Sequence, residues 1–378
     1  MHSPRILFVL DYYLPHCGWL ETVFANLIEA LQKKGITVGI ITTRHTPTLP
    51  SHEHLNTITI RRGGSGRRSF LRFAFWKTLR LWSKYDLIHT TTYAWAIPAF
   101  FAAKLLCKPL VITIHEMFGS LRKKIKPITR PVYRWVERAI ARLYKNHPYT
   151  IAVSEYTQHC LCERYGFSKK NLHHIYNGVD PALRTTDNID PAQTQQFLKK
   201  HALQQGEFLL YTWHPGISKG LREFIYAVPT LLQKNQALTI VLNLLPGKQR
   251  KKFCSLITKL NIHHACRILY GVTQRELLTI ICCSKAVVVP SLSEGFGLIA
   301  AEVSHLDHPL IVSANGALPE VVSWKVVFLE GHAPDDFATA VEKIQQGRYA
   351  VLPSKQFSRH RMSEAYYTYY QSMLEKKH

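Results

Sequence analysis

Acidic residues are scarce. The 378-residue chain carries 25 Asp and Glu against 48 Lys and Arg, a formal net charge of +23. Between Arg61 and Lys84 there are eight basic residues and no acid; between Arg122 and Lys145 there are nine basic residues and one acid, Glu137. Long apolar runs are also missing. The longest, Tyr93 to Cys107, is interrupted by Pro98 and Lys104 and is too short to span a bilayer. The short apolar run Ile6–Leu10 is followed at once by Asp11, which reads as a first strand and not as a signal peptide. Spaced cysteine pairs are absent: the eight cysteines include no C-x-x-C, and Cys160/Cys162 and Cys282/Cys283 lie too close for ordinary structural bridges. Reduced thiols in the cytoplasm are the expectation. The 20 histidines are dispersed, with no metal-ligand spacing and no clustered acidic motif, so no bound metal or cofactor is expected.

What is present is core-forming material. Hydrophobic residues make up 46% and aromatics 11%, enough for packed interiors, and the length favours two domains. Both basic stretches interleave aromatics: Phe70, Phe73, Phe75, Trp76 and Trp82 in the first, Tyr133, Trp135 and Tyr144 in the second. Such a surface can bind anionic lipid headgroups or nucleic acid. The alternative is a solvated basic face whose aromatics turn into the core.

Apolar strand patterns alternate with helical ones. Strands are expected at Ile6–Leu10, Val38–Thr42, Leu87–His89, Leu110–His115 and Thr150–Val153, with helices at Gly18–Lys34, Trp95–Leu106 and Pro131–Tyr144. The polar stretch Pro181–Glu207 breaks the rhythm and reads as an inter-domain connection holding a short helix. Strands then resume at Phe208–Thr212, Leu238–Leu242, Ala286–Val289, Leu310–Val312 and Val326–Leu329, before a polar-aromatic helix, Phe357–Lys376. This is an α/β chain of two doubly wound, Rossmann-like domains. Residues 1–180 form the first and 181–356 the second, with 357–378 expected to return to the first. Ligands of such sheets bind at the strands' carboxyl ends, here in a cleft between domains.

The most informative segment is PSLSEGFGLIAAE, residues 290–302. It follows a buried-strand pattern and leads into a helical one at Leu298–His305. Glu294 therefore sits in the strand-to-helix loop, and Glu302 about 7 Å into the helix. A helix N-terminus offers free N–H groups and partial positive charge to a phosphate, glycine lets backbone approach a ligand, and carboxylates accept from sugar hydroxyls. Together they suit a nucleotide-sugar. Taken alone, two glutamates at this spacing also fit a structural turn.

The segment resembles the E-x7-E signature of the retaining nucleotide-sugar glycosyltransferases of family 4, which have the two-domain GT-B architecture. Other segments agree in order: RILFVLDYYLPHCGWLE (5–21), VITIHEMFG (111–119), IAVSEYTQ (151–158), IYNGVD (175–180), SKGLREFIYA (218–227) and NGALPEVV (315–322). The resemblance covers nearly the whole chain. It implies that Glu302 accepts from the nucleotide ribose and Glu294 from the donor sugar. Gly295, Phe296, Gly297 and Leu298 would hold the diphosphate or sugar through backbone, and Lys219 would neutralise the departing diphosphate. His115 would orient sugar and acceptor, and Gly18 and His214 would complete the donor site. The implied reaction is metal-independent transfer of a hexose-like sugar, with retention, to a glycan or lipid-linked acceptor. Front-face attack and double displacement through Glu294 are both compatible. The basic stretches 61–84 and 122–145 would meet an anionic membrane at its inner face; nucleic acid is not expected as the partner.

Three positions depart from the family pattern. Gly18 is followed by Trp19 where a second glycine is common, His214 stands where an arginine is common, and Asp307 replaces a glycine after the second glutamate. These leave a second reading open: a catalytically inactive protein of the same fold that uses its basic face for lipid or nucleic acid.

Overall fold

Runs of three to six mostly apolar residues become the inner strands of two sheets, buried on both faces, which is why most of their side chains do not alternate with polar ones. The computed structural model describes residues 4–16, 18–55, 57–91, 96–116, 130–179, 190–213, 216–244 and 250–375. Two compact units divide the chain. One comprises residues 1–119, 126–178 and 357–378, the other 120–125 and 179–356.

Among the described residues, the first unit holds β1 (Arg5–Val9), β2 (Thr37–Thr42), β3 (His52–Leu55), β4 (Ile58–Arg62), β5 (Leu87–Thr91), β6 (Leu110–Ile114), β7 (Thr150–Ala152) and β8 (Leu172–His174). Their order in the sheet is β3-β4-β2-β1-β5-β6-β7-β8, and every pairing is parallel except β3 with β4. The central strand β1 pairs Ile6 with Val38 on one side and with Leu87 on the other. The intervening helices are α1 (Trp19–Lys33), α2 (Arg67–Leu81), α3 (Ala96–Leu105), α4 (Arg130–Tyr144) and α5 (Glu155–Tyr165). Ser154 caps α5, its Oγ accepting from Thr157 N at 3.0 Å, and Gly166 ends it in the left-handed region.

The second unit holds α6 (Pro191–Lys200), β9 (Phe208–Trp213), α7 (Leu221–Lys234), β10 (Thr239–Leu244), α8 (Arg250–Lys259), β11 (Cys266–Leu269), α9 (Gln274–Cys283), β12 (Ala286–Val289), α10 (Leu298–His305), β13 (Leu310–Ser313), α11 (Leu318–Val321), β14 (Trp324–Leu329), α12 (Pro334–Gln345) and β15 (Ala350–Leu352). The order β11-β10-β9-β12-β13-β14-β15 is parallel up to the last strand, which is antiparallel. Adjacent residues of β9 show the double burial: Leu209 and Tyr211 enter one core, Phe208 and Leu210 the other.

The polar stretch read as a connection is partly core. Asp190 caps α6 by accepting from Ala192 N at 2.9 Å, and the helix turns Phe197 and Leu198 into the second unit. Residues 181–189 lie outside the described residues. The last helix, α13 (Arg359–Glu375), belongs to the first unit. Tyr370 Oη meets His89 Nδ1 at 2.6 Å, Tyr366 Oη meets Thr113 Oγ1 at 3.1 Å, and Lys34 Nζ meets Glu364 at 2.7 Å.

The aromatics of the basic stretches divide. Phe70 and Tyr144 are core residues, whereas Trp76, Trp82 and Trp135 are exposed. Residues 122–129 and the side chain of Tyr133 lie outside the described residues. The seven described cysteines are free. No helix among the described residues is long and apolar enough to cross a membrane.

Candidate active site

β12 is the middle strand of the second sheet, and the chain leaving its carboxyl end forms the loop that carries Glu294. This loop is pinned from several sides. The Ser291 carbonyl accepts from Ser313 Oγ and from Asn315 Nδ2 at 3.1 Å. The Pro290 carbonyl is met by His332 Nε2 at 3.1 Å, and Leu292 N donates to the Ser218 carbonyl at 2.7 Å. The Glu294 carbonyl accepts from Ala317 N at 3.0 Å. Two glycines make the fit possible. A Cβ on Gly316 would lie 2.2 Å from the Glu294 carbonyl oxygen, and one on Gly220 would lie 1.8 Å from that of Pro290. Both have positive φ, 68° in each case.

Inside this frame the carboxylate of Glu294 faces the ammonium of Lys219. Lys219 Nζ is 2.9 Å from both Glu294 oxygens, and Ser291 Oγ donates to Oε2 at 3.1 Å. Both side chains are 11% exposed. Lys219 follows β9 in a short 3-10 turn, Ile217–Lys219, and Gly220 then opens α7. The ammonium also lies 5.6 Å over the Trp213 ring. The Tyr211 hydroxyl is directed at the Lys219 carbonyl, 3.5 Å away. Its phenol is held well above the usual pKa range by burial and by the nearby Glu294 charge, so it stays protonated.

Gly297 begins α10 with φ 94°, and a Cβ there would come within 2.7 Å of Leu318. Phe296 and Leu298 are both buried. Tyr211, Trp213, Lys219, Ser291, Glu294 and Leu298 line one pocket with the glycine between loop and helix. Glu302 lies on the same helix and is half-buried. Thus Lys219, Glu294, Gly297 and Leu298 converge, with Gly295 and Phe296 in the connecting loop. An ammonium, a carboxylate and a helix start together can meet an anion, accept from hydroxyl groups and offer a row of N–H donors. His214 lies outside the described residues.

The remaining expected residues are in the first unit. His115 directly follows β6, is buried, and stands edge-on to Phe24 at 5.9 Å. Burial pushes its pKa down to about 3, so the ring is neutral near pH 7 and can orient a group without carrying charge. Gly18 precedes α1 in an extended conformation that any residue adopts, but the space beside it is taken. Glu21 Oε2 would lie 2.1 Å from an added Cβ, while Glu21 Oε1 meets His16 Nδ1 at 2.9 Å. Trp19 is the first residue of α1; its side chain lies outside the described residues. Asp307 stands where α10 ends, at φ 51°, with its carboxylate 3.2 Å from Lys325 Nζ. The missing glycine is therefore a helix-end matter, since aspartate tolerates the left-handed region better than most residues.

Ser291, Ser313, Asn315 and His332 were not singled out in the sequence. NGALPEVV marked the neighbourhood of Asn315, but the partners of Ser313, Asn315 and His332 are backbone carbonyls 22 to 42 residues away, brought near only by folding.

Two parallel-rich sheets wound by helices, with a glycine-flanked carboxylate at the end of a middle strand of the second, define the GT-B glycosyltransferase class. A model described as Glycosyltransferase Family 4 matches residues 20–183, and one described as Glycosyl transferases group 1 matches residues 193–367. The chain belongs to this glycosyltransferase family. It is 25% identical to an uncharacterized glycosyltransferase of Methanocaldococcus jannaschii over 364 residues, covering 90% of this chain and 88% of the relative. Its fold is similar to sucrose-phosphate synthase of Thermosynechococcus elongatus (TM-score 0.80, 19% identity, 99% of this chain and 100% of that one). It is also similar to Anabaena HepE in complex with UDP-glucose (TM-score 0.75, 16% identity, 98% and 100% covered).

Proposed function

We propose that the protein transfers a hexose-like sugar from a nucleotide diphosphate sugar, with retention and without a metal, to a glycan or lipid-linked acceptor at the cytoplasmic face of an anionic membrane. The observation that carries this reading is the Lys219–Glu294 pair beside the glycine-started helix α10, with Glu302 on the same helix. The nucleotide-sugar complex of the similar HepE fold supports it.

The bond that breaks joins the anomeric carbon to the β-phosphate oxygen, and the diphosphate leaves with added negative charge. Lys219 meets that charge, joined by His214 and the first N–H groups of α10. Glu294 accepts from sugar hydroxyls and Glu302 from the ribose. Gly18 lets the Glu21 carboxylate lie against the start of α1, and neutral His115 orients sugar and acceptor. In front-face attack the departing phosphate oxygen takes the acceptor hydroxyl's proton, and the product keeps its anomeric configuration. The loop around Glu294 is pinned by its neighbours, which suits a group that acts by position.

A thermal-shift screen with UDP, GDP, ADP and their common sugars tests donor binding. A ligand at a hundred times its Kd stabilises by about 2.7 kcal/mol. No shift with any nucleoside diphosphate would remove the proposal. With a donor in hand, NMR of the product anomer checks retention, and turnover unchanged by EDTA checks metal independence.

A further inference from the structure

Helix α2 points Phe70, Ala74 and Thr78 into the first unit, four residues apart along one face. The opposite face presents Arg68, Arg72, Trp76 and Arg80, all exposed. Helix α3 packs beside it, buries Ala96, Ala99, Ala102 and Ala103, and leaves Phe101, Lys104 and Leu105 outward. An open groove of about 830 Å³ lies between the two helices. Leu71, Phe75, Trp76, Ile97, Phe101 and Leu105 line it, with Arg72 and Lys104 as its only charged residues. Trp76 is 60%, Phe101 46% and Leu105 68% exposed, a concentration of large apolar surface that a core does not need.

The surroundings are depleted of negative charge. Between Glu53 and Glu116 the sole acidic residue is Asp86, against ten Lys and Arg. That one carboxylate is held by Arg5 at 2.9 Å. The ligand that fits is therefore apolar along its length and anionic at one end. Apart from the Trp76 indole N–H, the groove's lining offers no uncharged side-chain donor and no side-chain acceptor, so a peptide laid in it would leave most of its buried backbone groups without partners. A hydrocarbon chain has no such groups. Arg72 and Lys104 can lay their apolar stems along the groove while their charged ends reach a phosphate. An exposed tryptophan at the edge is the side chain favoured at a bilayer interface.

We propose that the groove between α2 and α3 seats an acyl chain of an anionic phospholipid, with Arg72 and Lys104 on its headgroup phosphate, and that this holds the first unit on the membrane. The inference rests on the membrane-surface part of the proposed function and not on the sugar chemistry.

The test is co-sedimentation of the full chain with vesicles of phosphatidylglycerol and phosphatidylcholine in equal parts, and with phosphatidylcholine alone. Binding to the anionic vesicles is expected to exceed binding to the neutral ones by about tenfold or more. The double variant F101E/L105E should lose it. Arg72→Gln and Lys104→Gln, which leave the apolar lining intact, should each weaken it about fivefold. Circular dichroism and the UDP thermal shift of each variant should match the parent, which separates loss of docking from loss of fold.

Equal binding of the parent to both vesicle types, or to neither, would overturn the proposal. So would anionic-vesicle binding that F101E/L105E leaves unchanged, since the groove would then take no part in it. A dimer in sedimentation velocity that F101E/L105E dissociates would give the groove to a second copy and overturn it as well. Vesicle binding that survives while no nucleotide shifts the melting temperature would count against the donor reading and leave this one standing.

Discussion

Lys219→Met is the sharpest perturbation of the second unit. It leaves the Glu294 carboxylate, 11% exposed, with Ser291 Oγ and, among the described residues, no cation in contact. A buried charge stripped of its partner costs about 3–5 kcal/mol, and the residual exposure argues for the lower end, about 3 kcal/mol. For a unit of this size that corresponds to a melting point lower by about 6–12 °C. Adding Glu294→Gln removes the stranded charge, so the double variant should regain most of the loss. A complete double-mutant cycle by thermal unfolding should then give a coupling of about 2–3 kcal/mol. The same geometry makes a second statement. Both carboxylate oxygens hold the ammonium that the proposed diphosphate would recruit, so nucleotide and Glu294 would compete for it. Glu294→Gln should therefore abolish sugar transfer yet bind UDP at least about tenfold more tightly by titration calorimetry, the size of one hydrogen bond to a charged group. Strictly additive stability losses, or UDP binding no tighter in Glu294→Gln, would refute the reasoning.

Three further outcomes are expected. Burial lowers the pKa of His89 and His115 to about 3, against about 6.5 unfolded, so the unfolded chain takes up protons that the folded one refuses. Stability should be flat above pH 6.5 and fall as pH drops from there towards 3, by about 2 kcal/mol per ring at pH 5, seen in urea unfolding at several pH values. Gly316→Ala should cut transfer more than about tenfold by pushing on Glu294, whereas Gly347→Ala, with a similar positive φ but open space around it, should cost only about 1 kcal/mol of strain and no activity. Tyr370→Phe removes the 2.6 Å partner of buried His89 and should lower stability by about 1–3 kcal/mol with little effect on UDP affinity.

The parts of the fold that could be read from sequence are those with strong burial. β1, β9, β12 and β13 are continuous apolar runs because both sheet faces are covered, and each was found within a residue or so of its ends. The edge strands were not. His52–Leu55 is largely exposed and polar, and Ala350–Leu352 has two exposed residues of three, so neither has an apolar signature. They exist because a neighbour offers backbone partners. The basic segment 61–84 concealed α2, whose core face is only Phe70, Ala74 and Thr78 amid arginines and aromatics. At the site, Glu294, Gly297 and Lys219 could be named because a turn, a helix start and a conspicuous lysine-glycine mark them. That the lysine would grip the glutamate could not, since 75 residues separate them.

The placement of α13 has a consequence for how the protein is made. Residues 179–356 form an insertion within the first unit, because the helix that completes that unit comes after them in the chain. At roughly 5–20 residues per second, about 10–40 s pass between translation of residue 178 and of residue 375. During that interval His89 and Thr113 have no Tyr370 and Tyr366 to meet, and the sheet face that α13 covers is open. The second unit, all but six of whose residues run unbroken from 179 to 356, can fold before the first is finished, so the nascent chain closes from the middle outward.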